Sequence, residues 1–113
     1  MTGIIEEVNT VMLAARLKEE EHLVVFFYEE GSIYAQRLLK ELEVLDDKMD
    51  KNEIKFFKIS DDDIDKDYDL EDMPALVYFH KTVPHVYQGD LRFVIQQLFN
   101  MQIPIVCYLT YQL

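Results

Sequence analysis

The segment 22–28, His-Leu-Val-Val-Phe-Phe-Tyr, constrains the fold more than any other stretch of the chain. It is the most apolar run present, and its two valines and three aromatics favour a strand over a helix. A continuous apolar run this short reads as a central strand buried on both faces. It falls far below the ~20 apolar residues needed to span a bilayer. A strand covered on both faces requires packed layers on either side of its sheet.

The flanking segments supply those layers. Residues 3–8 read as a short strand or the start of a helix, with the strand preferred because Asn9 then suits the N-cap of a helix over 10–20. Within that helix Val11, Leu13, Ala14 and Leu17 form a rough apolar stripe. Gly31 and Ser32 punctuate the chain after the central strand, with Ser32 placed to cap a long helix over 33–49. Its apolar residues Ile33, Leu38, Leu39, Leu42, Leu45 and Met49 follow spacings of three and four after the first, with a charged outer face. Further strands are expected at 54–59, 75–80 and 85–87, with a turn at 82–84 and a last helix that Gln88-Gly89-Asp90 begins and that runs to about Asn100. The acidic stretch 60–72 has room for one short helix. The order predicts an α/β domain whose mixed sheet of four to five strands is mostly parallel, with an antiparallel edge from the closing hairpin and helices on both faces.

A chain of 113 residues fits one domain. Residues 1–101 carry the whole strand–helix pattern. The tail 102–113 stands apart, since Pro104 breaks from the last helix and a run of β-formers follows. It reads as an extra strand or as the first strand of a following domain, and left unpaired it is a surface for homodimerisation. The opening residues lack the basic and long apolar regions of a signal peptide, which fits either a chain without one or a domain excised from a longer chain.

The formal net charge of −11 argues against nucleic acid, whose phosphates need clustered Lys and Arg. It argues equally against anionic membrane surfaces. Basic protein partners or divalent cations remain as classes of ligand. Cys107, the single cysteine, has no partner for an internal disulfide. A disulfide-free domain fits an oxidising compartment as well as a reducing one.

Three motifs then stand in order. Phe27-Tyr28 at a strand end precedes Ser32-Ile33-Tyr34-Ala35 and Gln36-Arg37-Leu38, with Leu42-Glu43 further along the helix; Met73-Pro74-Ala75-Leu76-Val77-Tyr78-Phe79 enters a strand; Val86-Tyr87-Gln88-Gly89-Asp90-Leu91 precedes the last helix. This set resembles the thioredoxin superfamily. There an aromatic strand end leads to Cys-x-x-Cys at the start of a long helix, a cis-proline enters the fourth strand, and a Tyr-x-Gly turn precedes the last helix. The resemblance implies a thioredoxin-like fold. It matches Ser32 and Ala35 to the two cysteines of the redox motif, and Phe26 to the buried carboxylate that assists proton transfer. A serine hydroxyl cannot exchange with disulfides, so the expectation is a redox-inactive domain that is no enzyme.

In that respect the chain looks like the non-catalytic domains of disulfide-isomerase relatives and of calsequestrin. The implied function is a non-catalytic module for protein interaction or assembly, within a larger tandem protein of the endoplasmic reticulum lumen or secretory pathway. The implied partner-binding residues are Ser32, Tyr34, Met73 and Pro74. The alternative is an acidic, calsequestrin-like domain that binds calcium weakly and associates with it. Asp61, Asp62, Asp63 and Asp65 are its candidate ligands, since calcium prefers carboxylate oxygens. No EF-hand loop is present, so solvated loop residues and helix capping explain the same aspartates. No other cofactor is expected. His22, His80 and His85 are too few and too scattered along the chain to suggest a metal site.

Overall fold

The computed structural model describes residues 5–51, 54–60, 73–87 and 90–100. The expected helix within 60–72, Gln88 and Gly89, and the tail 102–113 lie outside them. Along the chain run β1 (Glu6–Glu7), α1 (Thr10–Glu19), β2 (His22–Phe27), α2 (Ile33–Lys51), β3 (Lys55–Ile59), β4 (Ala75–His80), β5 (Val83–Tyr87) and α3 (Leu91–Asn100). The strands form one sheet in the order β1-β3-β2-β4-β5.

The apolar run became the centre of this sheet for a physical reason. Successive side chains of a strand point to opposite faces, and every residue of β2 from Leu23 to Phe27 is buried. Val24, Phe26 and the following Tyr28 pack with Phe56, Leu76 and Tyr78 beneath Ala35, Leu38, Leu39, Leu42 and Leu45 of α2 and Leu91 and Ile95 of α3. Leu23, Val25 and Phe27 pack with Phe57, Val77 and Phe79 on the opposite face, beneath Leu13 and Leu17 of α1. The mixed sheet with helices on both faces agrees with the sequence reading.

Strand direction is less parallel than expected. β3 pairs parallel with β1 and β2, whereas β4 runs antiparallel to both β2 and β5. The final hairpin also turns earlier than the sequence suggests. His80 pairs with Val83, and the two linking residues, Lys81 (φ 51) and Thr82 (φ 72), take the left-handed conformation that a two-residue hairpin turn requires. Pro84 consequently lies within β5, at the sheet edge, where a missing N–H disrupts no interior ladder.

Both major helix starts are capped as their sequences imply. Asn9 Oδ1 accepts from the Met12 N–H at 2.8 Å, a cap contributing about 1 kcal/mol. The stripe on α1 is narrower than its sequence suggests. Leu13 is buried, but Val11 is 76 % exposed and Ala14 is also exposed. Among the described residues no helix is long and apolar enough to cross a membrane.

Candidate functional site

The carboxyl end of β2 gathers the residues that the sequence singles out. β2 runs out at Phe27, opposite Ala75 at the start of β4. The antiparallel pairing therefore brings Met73 and Pro74 to the sheet end from which the chain departs towards α2. The Met73–Pro74 peptide is cis, as the resemblance implies. Tyr28 continues the strand with an N–H donated to the Ile59 carbonyl at 3.1 Å. Its phenol donates to Glu7 Oε1 of β1. Burial, together with that hydrogen bond, pushes the Tyr28 phenol up to about 12, so it remains a neutral donor.

The turn into α2 depends on Gly31, whose φ of 89° is one that L side chains rarely adopt. Ser32 follows as the cap. Its Oγ accepts from the Ala35 N–H at 3.2 Å, and its carbonyl accepts from the Gln36 N–H at 3.1 Å. These bonds satisfy donors that a helix start leaves without intrahelical partners. Ala35 is fully buried and lies in the same apolar cluster as Phe26. Phe26 thus occupies the core beneath the helix start, as the resemblance implies.

Ile33 departs from the expected stripe. It is 72 % exposed, and its neighbour Tyr34 is 44 % exposed. Beside them Tyr34, Arg37, Leu38, Glu41 and Arg92 line an open groove of about 290 Å³ between α2 and α3. Met73 is partly buried against the α1-side core. Ser32, Tyr34, Met73 and Pro74 therefore share one end of the sheet. Asp61, Asp62, Asp63 and Asp65 lie outside the described residues, as does Cys107.

The opposite end of the sheet holds an arrangement that sequence reasoning missed. His22 and His80 are directly opposed in the β2–β4 register. Their rings stack with centroids 5.2 Å apart, and the Glu21 carboxylate stands beside both. Read along the chain these histidines look scattered; the strand pairing makes them neighbours. His85 pairs with Tyr78 and stacks on it at 6.2 Å.

No protein-family model and no curated protein matches the sequence. Solved structures do match it. Oxidised mitochondrial thioredoxin 3 of Saccharomyces cerevisiae superposes with a TM-score of 0.69 at 18 % identity, covering 86 % of this chain and 95 % of that one. Oxidised thioredoxin of Plasmodium falciparum gives 0.70 at 16 % identity, covering 83 % and 97 %. Human ERp44 gives 0.71 at 17 % identity, covering 91 % of this chain and 30 % of that one. The chain has the thioredoxin-like fold. One expectation is overturned by the same matches: the chain was expected to be no enzyme, yet the structures that share its fold include thioredoxins, which are redox proteins.

Proposed function

We propose that the chain is a thioredoxin-fold module that binds an extended polypeptide at the sheet end where α2 begins. The observation that carries this reading is the exposed apolar pair Ile33 and Tyr34, on the first turn of α2 at the end that also bears Met73 and Pro74. Adjacent apolar side chains held in water on a rigid helix start are surface that a partner can cover with gain. The groove beside them carries Arg37, Arg92 and Glu41, polar groups able to orient a bound main chain. A location in the secretory pathway belongs to this proposal. The likeness to ERp44 supports it, whereas the mitochondrial thioredoxin is an equal match in fold.

The probe is a fluorescently labelled, reduced and carboxymethylated protein, which stays unfolded and presents extended segments. Titration followed by anisotropy is expected to show saturable binding. The double variant Ile33→Asp/Tyr34→Asp should weaken it about tenfold or more, the cost of a central apolar contact at an interface. Both positions are exposed, so circular dichroism of the variant should match the parent. Binding that is equally strong in the variant would remove this surface from consideration, and absence of binding in the parent would remove the reading.

A second reading is favoured by the redox proteins among the fold neighbours. Cys107 is the only cysteine in the sequence, so any thiol chemistry of the chain runs through it. Its thiolate would attack a client disulfide, form a mixed disulfide and release one client thiol; one glutathione would then displace the second client thiol and leave Cys107 glutathionylated, and a second glutathione would free Cys107 and depart as glutathione disulfide. Insulin reduction with glutathione as the reductant tests this directly. The expected result is turnover in the parent that disappears in Cys107→Ser. A parent no faster than glutathione alone would eliminate the monothiol route.

A further inference from the structure

We propose that Glu21, His22 and His80 form a binding site for a zinc-class divalent metal ion at the end of the sheet opposite Ser32. The backbone alone dictates much of the site. In the antiparallel β2–β4 register His22 lies opposite His80 and His80 is two residues beyond Tyr78, so the three side chains emerge on one face. The imidazoles lie nearly parallel, 7° apart. Both Nε2 atoms point at a single carboxylate, that of His22 4.0 Å from Glu21 Oε2 and that of His80 3.9 Å from Glu21 Oε1. One potential ligand atom from each residue lies within 4.8 Å of the others.

The surroundings pre-orient this set. His22 Nδ1 lies 2.6 Å from the Tyr78 hydroxyl, on a residue that is fully buried. When that nitrogen carries the proton and the phenol oxygen accepts it, the Nε2 lone pair is left facing the carboxylate. Metal-binding histidines are commonly held in this way, with the second ring nitrogen fixed by a hydrogen bond from outside the coordination sphere. His22 is thereby anchored, while the side chains of His80 and Glu21 are 37 % and 58 % exposed and free to turn. Ligands about 2.0–2.1 Å from a tetrahedral zinc stand roughly 3.3 Å from one another. Closing from the observed separations needs side-chain rotation and no change in strand pairing.

The donor set selects the class of ion. Two imidazoles with one carboxylate suit zinc, copper(II) or nickel(II), whereas calcium takes six to eight oxygen ligands. Three protein ligands leave a fourth position for water or a group from a partner. Lys81 is already a cation at this carboxylate, its Nζ 3.8 Å from Glu21 Oε1, and its side chain is 71 % exposed. It competes with a metal for this carboxylate and can swing into solvent when one arrives.

The experiment is calorimetric titration of the chelator-treated full chain with zinc chloride, alongside Cys107→Ser to remove the thiol as a ligand. One zinc per chain is expected in both. Glu21→Gln and His80→Gln should each weaken binding about tenfold or more, and Lys81→Gln should tighten it severalfold by removing the competing charge. That opposite sign is what a merely structural cluster would not produce. Cobalt(II) titration should give the visible absorption of a four-coordinate site, lost in His80→Gln. Circular dichroism of these exposed-residue variants checks that folding is retained. Zinc binding unchanged in both Glu21→Gln and His80→Gln, or absent from Cys107→Ser, would overturn the assignment.

Discussion

Replacing Phe26 by alanine is expected to cost about 3–5 kcal/mol of folding stability, within the range for emptying a packed aromatic site. Phe26 is fully buried near the carboxyl end of β2, between β3 and β4, with Ala35, Leu38 and Leu42 of α2 in the same cluster. Its ring stacks on Tyr28 at a centroid distance of 5.8 Å. The central strand is hydrogen-bonded on both sides and cannot move to fill the void, and α2 is held by several other buried leucines. The cavity therefore stays largely open and the penalty approaches the upper part of the range. Against a total stability of about 5–15 kcal/mol for a domain of this kind, the loss is a large fraction of the whole. Urea unfolding followed by circular dichroism measures it, with the midpoint expected to fall while the slope is unchanged. Ile33→Ala is the control, expected within about 0.5 kcal/mol of the parent because that side chain is 72 % exposed. A Phe26→Ala loss below about 1 kcal/mol would mean that β2 is not the centre of the core.

Particular residues show what was legible in the chain and what was not. The apolar run at 22–28 announced a two-face-buried strand because burial on both sides removes the period-two alternation, and Leu23 to Phe27 are buried accordingly. The spacing of Leu38, Leu42 and Leu45 announced the buried face of α2, and all three are at 1 % exposure or less. Ser32 announced a helix cap, which local chemistry alone determines. By contrast Val11 and Ala14 belong to a stripe that α1 does not bury, because so short a helix meets the sheet chiefly through Leu13 and Leu17. The direction of β4 is a property of topology, with no local signature. The turn expected at 82–84 falls one to two residues earlier, on Lys81 and Thr82, whose types give no hint of positive φ. His22 and His80 illustrate the same limit most sharply: nothing in their separation along the chain signals that strand register will stack one on the other. The expectation of no enzymatic role followed from Ser32 and Ala35 in the places of the redox cysteines, and the redox proteins among the fold neighbours overturned it.

The correspondence of those two positions yields the largest functional change expected of any variant. The double replacement Ser32→Cys/Ala35→Cys, made in a Cys107→Ser background, should create a dithiol that oxidises to an intramolecular disulfide and accelerates insulin reduction by dithiothreitol. Ser32 Oγ already accepts from the Ala35 N–H at 3.2 Å at the first turn of α2. A thiolate placed there would meet the same donor and the positive end of the helix dipole, both of which lower a thiol's pKa and favour the attacking form. Position 35 is one helical turn on and fully buried, where it can resolve a mixed disulfide before a solvent thiol does. Its added sulfur must fit a close-packed site, at a cost of about 1–3 kcal/mol that leaves a marginal but folded domain. Turnover should stay below that of a redox protein with a carboxylate beneath the helix, because Phe26 offers no group to move the proton. A thiol count on the oxidised variant decides the geometry apart from the rate. No free thiol, with rapid recovery of two on reduction, places positions 32 and 35 as a redox pair would stand. Two persistent free thiols after oxidation would show that the start of α2 does not hold them in bonding reach, and the fold correspondence would then end at the helix cap.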